Sequence, residues 1–302
     1  MVARRAPGPV REVDPSRRGR FGLRLAAGPT LWLLAFLVGP LGILLVWSFQ
    51  PPGTVLGSGT GATFSTTTYA SVLGVSSYRD LLLWTVLASA VVAALSVTLA
   101  FPIAYVLALV AGRRRYMLLG LAFVPFLTSY VLRIFAWRLI LGEDGLLNDA
   151  AQSLGLINSP MAALLYSRLT VIIVLTYVWV PWAALPIFVR LDALDRSLLE
   201  AAADLGVSPI RTVFRVVIPM ALPGIYTAFF LVFIPTLGDF ATAAYVGGTE
   251  GIMFGNLIQR FLTTFDLPSG AVLTVLLLVV AAALMLLAVR VVRVRSVTDV
   301  QL

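Results

Sequence analysis

Apolar residues in this chain come in long runs rather than in stripes. Six stretches stand out, about Leu25–Trp47, Leu81–Val110, Tyr116–Leu141, Leu169–Val189, Pro223–Val246 and Ala271–Val292, each bounded by charges, glycines or a short polar segment. At about 1.5 Å of rise per residue, roughly 20 mostly apolar residues make a helix that crosses the hydrocarbon of a bilayer. In that layer the chain must satisfy its own backbone groups, and helices do so. The alternation of a membrane barrel strand is missing, as Val-Leu-Thr-Val-Leu-Leu-Leu-Val-Val over Val272–Val280 shows. The pattern predicts an all-α membrane protein with six transmembrane helices.

Arginine placement sets the expected orientation, because cytoplasmic flanks carry the excess of basic residues. Arg4, Arg5, Arg11, Arg17, Arg18, Arg20 and Arg24 precede the first run, Arg113-Arg114-Arg115 joins the second to the third, and Arg190, Arg196, Arg211 and Arg215 lie between the fourth and fifth. Arg290, Arg293 and Arg295 follow the last run, whereas Arg79, Arg168 and Arg260 are scattered over the alternate loops. Both termini are therefore expected in the cytoplasm. The expected organisation is a disordered basic tail (1–24), a six-helix transmembrane domain (25–295) with a long cytoplasmic loop (190–222), and a short C-terminal tail (296–302). Two short helices are expected in the third loop, Asn148–Leu154 ending at Gly155 and Pro160–Ser167, and another at Ile252–Phe265.

Composition narrows the chemistry. Of 302 residues 60% are hydrophobic and 12% charged, with no His and no Cys, and all 22 basic residues are Arg. Imidazole or thiolate metal sites, Cys nucleophiles, Ser-His-Asp triads and disulfides are excluded, and a phosphate loop ending in Gly-Lys-Ser/Thr cannot exist without Lys. The chain is read as non-enzymatic; if ATP is used, another chain holds it. The net charge of +8 reads as membrane orientation, with membrane lipid rather than nucleic acid as the partner, since the arginines are split among short loops.

The loop from Arg190 to Leu222 carries the most information. Ser197 with Glu200 three residues on predicts a capping box, Ala201, Ala202 and Ala203 propagate a helix, and Gly206 sits where a helix ends with positive φ. Ser208 and Pro209 predict a second helix start, and Pro219 and Pro223 a break before the fifth span. A short alanine-surfaced helix at the membrane face either seats in a groove of another protein or rests on lipid headgroups.

Glu200-Ala201-Ala202, three residues, Gly206, nine residues, then Val216-x-Ile218-Pro219 resembles the EAA loop of binding-protein-dependent ABC importer permeases. The resemblance covers roughly Leu25 to Val292. It implies a type I importer permease architecture in a bacterial inner membrane, with Glu200, Ala201, Ala202, Gly206 and Pro219 on the segment that docks into a cytoplasmic ATPase. It implies as partners a second homologous permease, two ABC ATPase subunits holding ATP and Mg, and an extracytoplasmic solute-binding protein. No cofactor is expected in this chain. The stretches Val124–Trp137, Leu141–Asn148 and Leu237–Phe240 with Gly247-Gly248 resemble the spermidine/putrescine branch, which implies a polyamine solute.

Charges within spans are costly and face a cavity or a partner. Arg133 and Asp239, each roughly 25 Å from the inner start of its run at helical rise, are expected at one level. Two readings stand open there: an ion pair locking the third and fifth spans, or Asp239 facing the pathway and attracting a cationic solute. Tyr130, Trp137 and Phe240 lie near that level, and aromatic faces accept cations and methylenes together. Arg138 is expected to extend to the headgroups. An ABC permease for another small solute and an ion-coupled secondary transporter remain as alternatives, although a proton-coupled carrier is expected to hold several intramembrane carboxylates.

Overall fold

The computed structural model describes residues 15–54, 64–159, 161 and 165–298, with side chains described from residue 27 to residue 290 among these. Helix α1 (Pro15–Ser48) begins with proline, whose fixed φ and missing N–H suit a first helical turn. The backbone of 15–24, expected as part of a disordered tail, is therefore helical; residues 1–14 lie outside the described residues. A short α2 (Thr67–Gly74) interrupts the first loop. It anchors the end of α1: Thr68 Oγ1 donates to the Gln50 carbonyl at 2.6 Å, and Tyr69 donates its hydroxyl hydrogen to Ser48 Oγ at 2.8 Å.

Three helices form the centre: α3 (Ser76–Tyr105), α7 (Arg168–Asp192) and α10 (Ile218–Leu237), each packed on the other two. Their shared core uses small side chains at the crossings, Ala88, Ala93, Ala100 and Ala104 from α3, Ala183 from α7 and Ala221 and Ala228 from α10, all buried. Small residues let backbones approach closely where lipid supplies no hydrophobic drive between helices. α1 packs chiefly along α13 (Leu267–Thr298) at the edge, and leaves Trp32, Phe36 and Leu37 exposed on the single chain.

Two expected spans are corrected. The third is not one helix: α4 (Arg115–Phe123) passes through a 3-10 turn, Val124–Leu127, to an extended Thr128, and α5 (Tyr130–Leu141) leaves at 79°. Pro125 removes a backbone donor there, and no α-helix continues unbent through such a loss without compensation. The fifth starts earlier and stops sooner than Pro223–Val246. Here α9 (Pro209–Thr212), a π turn Val213–Val217 and α10 make one continuous span to Leu237, and α11 (Ala241–Val246) follows a break. Pro219 and Pro223 thus do not interrupt it. The wider π turn just before Pro219 relieves the clash its ring would make with the preceding turn.

Among the described residues five helices are long and apolar enough to cross a membrane, or six if the bent α4–α5 pair is one span. At the end of the bundle away from Arg113–Arg115, α6 (Leu146–Ser153) and α12 (Phe254–Thr263) match two of the expected short helices, with Gly155 at φ 68° after the first. Of the expected helix Pro160–Ser167, Pro160 and residues 162–164 lie outside the described residues, and Leu165–Ser167 form a turn. A second apolar cluster there, Val72, Phe254, Val272 and Leu273, joins α2, α12 and α13. α13 runs on to Thr298 and so takes in the start of the expected C-terminal tail; residues 299–302 lie outside the described residues.

Candidate functional site

At the arginine-rich end, the chain turns out of α7 into α8 (Ser197–Asp204). The expected capping box is not formed. Ser197 is the first helical residue, and Asp195 caps instead, its Oδ1 accepting the Ser197 N–H at 3.0 Å. That bond stabilises the carboxylate and holds the Asp195 pKa below its usual value. The other end follows expectation: Gly206 has φ 72°, its N–H donates to Ala203 O at 2.9 Å, and the Val207 N–H donates to Ala202 O at 3.0 Å. This double closure satisfies the last carbonyls and needs the left-handed region that glycine enters without strain. Pro209 then opens α9 after an extended Ser208.

The base of this segment is tied to three spans. Arg196 donates to the Ala108 carbonyl at 3.3 Å, inside the π turn Val106–Val110 that ends the α3 span. A cation at the carbonyl end of a helix also meets a favourable dipole. Arg115 and Asp192 form an ion pair at 2.7 Å, Tyr116 donates to Asp192 Oδ2 at 2.9 Å, and Arg190 Nε donates to the Met220 carbonyl at 3.1 Å. On α8 itself, Leu199 packs inward and Ala202 is buried, so Ala202 belongs to the root of the helix and not to its outer face. Glu200, Ala201 and Ala203 are exposed. Sequence reading missed the apolar side chains beside them: Leu205, Ile210 and Phe214 are 82%, 73% and 66% exposed. Pro219 lies further along, in the first turn of α10.

Toward the far end, the break Gly238–Phe240 between α10 and α11 carries Asp239. Its carboxylate accepts the Thr242 N–H at 3.1 Å, the Thr242 hydroxyl at 3.3 Å and the Tyr130 hydroxyl at 3.0 Å. The break is held from behind by α12. Asn256 Nδ2 donates to the Phe240 carbonyl at 2.7 Å, while its Oδ1 accepts the Met253 N–H. Gly255 lies so close that a Cβ there would stand 2.7 Å from the Asp239 carbonyl oxygen and 2.8 Å from that of Gly238.

Arg133 does not pair with Asp239; Arg115–Asp192 is the ion pair found among the described residues. Its guanidinium carbon instead sits 4.7 Å from the Phe126 ring centroid and 5.9 Å from that of Tyr130. Nε and Nη1 are buried and have no hydrogen-bond partner. The locking ion pair expected as one reading is thus replaced by Tyr130, which joins α5 to the break through its hydroxyl. Arg133 and Asp239 stand at equal height only along a straight third span, and the 79° bend at Thr128–Ser129 removes that ruler. Trp137 packs on Tyr177 of α7, with centroids 5.3 Å apart, and does not join this cluster. Phe240 is adjacent in sequence and 44% exposed. Arg138 lies over the Tyr166 ring at 5.7 Å and lines an open recess of about 500 Å³ with Phe135, Glu143 and Asp144. Thr242 and Gly255 were not singled out from sequence, and Phe126 and Asn256 entered only as members of the stretches Val124–Trp137 and Ile252–Phe265, with no part in this cluster. An Asp followed three residues on by Thr at a helix start was the available signal for the first.

A larger groove of about 660 Å³ between α10 and α13 is lined by Pro223, Tyr226, Phe230, Ile234, Met285 and Val289 among others. It is almost wholly apolar and suits a hydrocarbon neighbour rather than a charged solute.

A polytopic α-helical bundle with a rigid projection at its arginine-rich end and a carboxylate at a helix break has the parts of a membrane transport subunit. Comparison with known proteins makes this specific. Residues 100–296 match the family model described as binding-protein-dependent transport system inner membrane component. Over 258 residues the chain is 33% identical to the spermidine/putrescine transport system permease protein PotB of Salmonella typhimurium (strain SL1344), covering 85% of this chain and 88% of that protein. The Escherichia coli (strain K12) protein described in the same words is 35% identical over 189 residues, 62% of this chain and 68% of its own length. The crystal structure of a bacterial ABC transporter involved in the import of the acidic polysaccharide alginate contains a chain of the same fold. Its TM-score is 0.73 at 15% identity, over 92% of this chain and 96% of that one. The protein belongs to the binding-protein-dependent transport system inner membrane components: it is a multi-pass permease subunit of an ABC importer.

Proposed function

We propose that this permease forms half of the translocation pathway for a small cationic solute of the polyamine class, spermidine or putrescine. The observation that carries the reading is Asp239: a carboxylate set at a helix break toward the far end of the bundle, held by Tyr130 and Thr242, in a chain similar to spermidine/putrescine permeases over most of its length. Charge inside a membrane is retained where it serves a pathway. An aliphatic diammonium needs carboxylates for its charges and aromatic faces for its methylenes, and Tyr130, with Phe240 beside the break, supplies the second.

In this proposal the arginine-rich end faces the cytoplasm, as basic flanks favour. The domain 25–295 spans the membrane, and both ends of the chain lie inside. The loop 190–222 carries α8 to a separate ATPase subunit, which holds the ATP and Mg. Glu200 and Ala201 present charge and a small surface there, while exposed Leu205, Ile210 and Phe214 supply apolar area to bury. Ala202, Gly206 and Pro219 act from beneath, keeping α8 rooted, closed and continuous with α10. Because Arg196 binds the end of the α3 span, displacement of α8 by the ATPase reaches α3, α7 and α10 together. A second homologous permease completes the passage, two ATPases lie inside, and a solute-binding protein delivers solute at the end bearing α6 and α12.

The experiment is reconstitution of the complete importer in proteoliposomes with labelled spermidine. Saturable, ATP-dependent uptake is expected, lost in Asp239→Ala; in Glu200→Arg the ATPase no longer co-purifies. Uptake that persists without any ATPase subunit overturns the ABC mechanism, and an active ATPase that ignores polyamines overturns the solute. The second reading, an ABC permease for a different solute, draws on the alginate importer, whose chain has the same fold and whose solute is an acidic polysaccharide.

A further inference from the structure

We infer that Arg133 is a built-in competitor for the solute's cation: its guanidinium fills an aromatic seat, formed by Phe126 and Tyr130, that an ammonium group of the solute would otherwise occupy beside Asp239. The inference rests on the polyamine reading and extends it to the determinants of affinity and release.

The geometry has three parts. First, the seat exists. The Phe126 and Tyr130 rings both present to one cation, at 4.7 and 5.9 Å from its central carbon, within the range of cation–π attraction. Second, the seat adjoins the carboxylate, since Tyr130 offers its ring to Arg133 and its hydroxyl to Asp239. A ring face and a carboxylate side by side are what an alkylammonium requires. Third, the resident is poorly satisfied. A guanidinium cannot discharge by losing its proton. Nε and Nη1 are buried without hydrogen-bond partners, so these two nitrogens face the rings rather than acceptors. Buried donors left unpaired are costly, so the arrangement gains from any state in which they meet an acceptor. Arg133 lies three residues from Tyr130 on α5, on the same helical face, and Asp239 is the carboxylate just beyond that ring.

The consequence is directional. A solute ammonium at Asp239 meets a fixed positive charge one ring away, so it binds weakly and leaves quickly. A subunit that receives solute from a tight-binding carrier and passes it on gains from such a site.

The test measures the Kd of labelled spermidine for the purified permease–ATPase complex, without the binding protein that would mask the site, together with turnover of the complete importer. Arg133→Gln empties the seat of charge and is expected to tighten Kd about threefold to tenfold and to slow turnover. Arg133→Lys is expected to stay near the wild-type values. Phe126→Leu removes the seat but keeps the charge, frees Arg133 toward Asp239, and is expected to weaken binding about twofold to fivefold. Tightening by a variant is a gain that mere structural damage does not produce. Unchanged or weaker binding in folded Arg133→Gln overturns the inference; should that variant fail to fold, unchanged or tighter binding in Phe126→Leu does so. A wild-type complex that binds no polyamine overturns the solute reading, and this inference with it. Wild-type binding with the wrong sign in the variants overturns this inference alone.

Discussion

Substituting alanine for Gly255 adds one methyl group at the back of the proposed solute site. The new Cβ would lie 2.7 Å from the Asp239 carbonyl oxygen, 2.8 Å from that of Gly238 and 3.1 Å from the Asp239 carbonyl carbon. Carbon–oxygen contacts settle at about 3.3 Å or more, so α12 and the break must part by roughly half an ångström. Neither neighbour is a flexible side-chain tip; both are backbone, tethered by the Asn256–Phe240 bond. Overpacking of this kind costs about 1–3 kcal/mol. If the break yields, the Tyr130–Asp239 hydrogen bond stretches from 3.0 Å toward the limit near 3.5 Å where such bonds fail. A bond to a charged group is worth about 1.5–3 kcal/mol, so the spermidine Kd of the permease–ATPase complex should weaken about tenfold. If α12 yields instead, Kd holds and the thermal midpoint of the purified complex falls. Gly255→Ala with both unchanged would refute the close approach and the role assigned to it.

Four further outcomes are expected. Gly206→Ala places nothing within 4 Å of the new Cβ but forces alanine to φ 72°, a penalty of about 1–2 kcal/mol; ATP hydrolysis should uncouple from uptake with spermidine binding intact, and Gly206→Asn should recover part of the coupling. Tyr130→Phe removes one donor from Asp239 and should weaken spermidine binding about tenfold or more, read by equilibrium dialysis. Arg196→Met frees the Ala108 carbonyl and should lower the ratio of solute moved to ATP hydrolysed, with Arg196→Lys intermediate. For Asp195 the folded pKa is depressed by the Ser197 N–H. Its stabilisation of the first turn of α8 is therefore complete above the ordinary value of 3.8 and disappears as pH falls below it through the lower folded value. Hydrogen exchange at the Ser197 amide should accelerate on acidification in that window, after correction for intrinsic rates, and Asp195→Asn should abolish the acceleration.

The runs of apolar residues were enough to locate the spans, because hydrocarbon thickness imposes a length that composition reveals directly. Gly206 was legible too, since a glycine after an alanine-rich turn has one common use. What failed was local. The third span bends just past Pro125, whereas the fifth continues through Pro223 and through Pro219, where a π turn that nothing in residue identity announces precedes the ring. Ser197 read as the cap, but the chain's exit from α7 brings the Asp195 carboxylate to the Ser197 N–H instead. Arg133 and Asp239 were paired on height alone. Which way each side chain turns depends on a 79° bend and on Phe126, a ring that sequence offers no reason to prefer over its neighbours. Ala202 read as surface and is buried, because helical phase against the spans is a tertiary property.

The elbow between α4 and α5 has a consequence for hydration. Extended backbone at Thr128 cannot be turned toward acyl chains, since its amide and carbonyl groups would go unsolvated there. It has to face either protein or a wetted cleft, and Leu127 beside it is 84% exposed on the single chain. The elbow therefore marks a side of this subunit from which lipid tails are kept away, covered either by a neighbouring protein surface or by water.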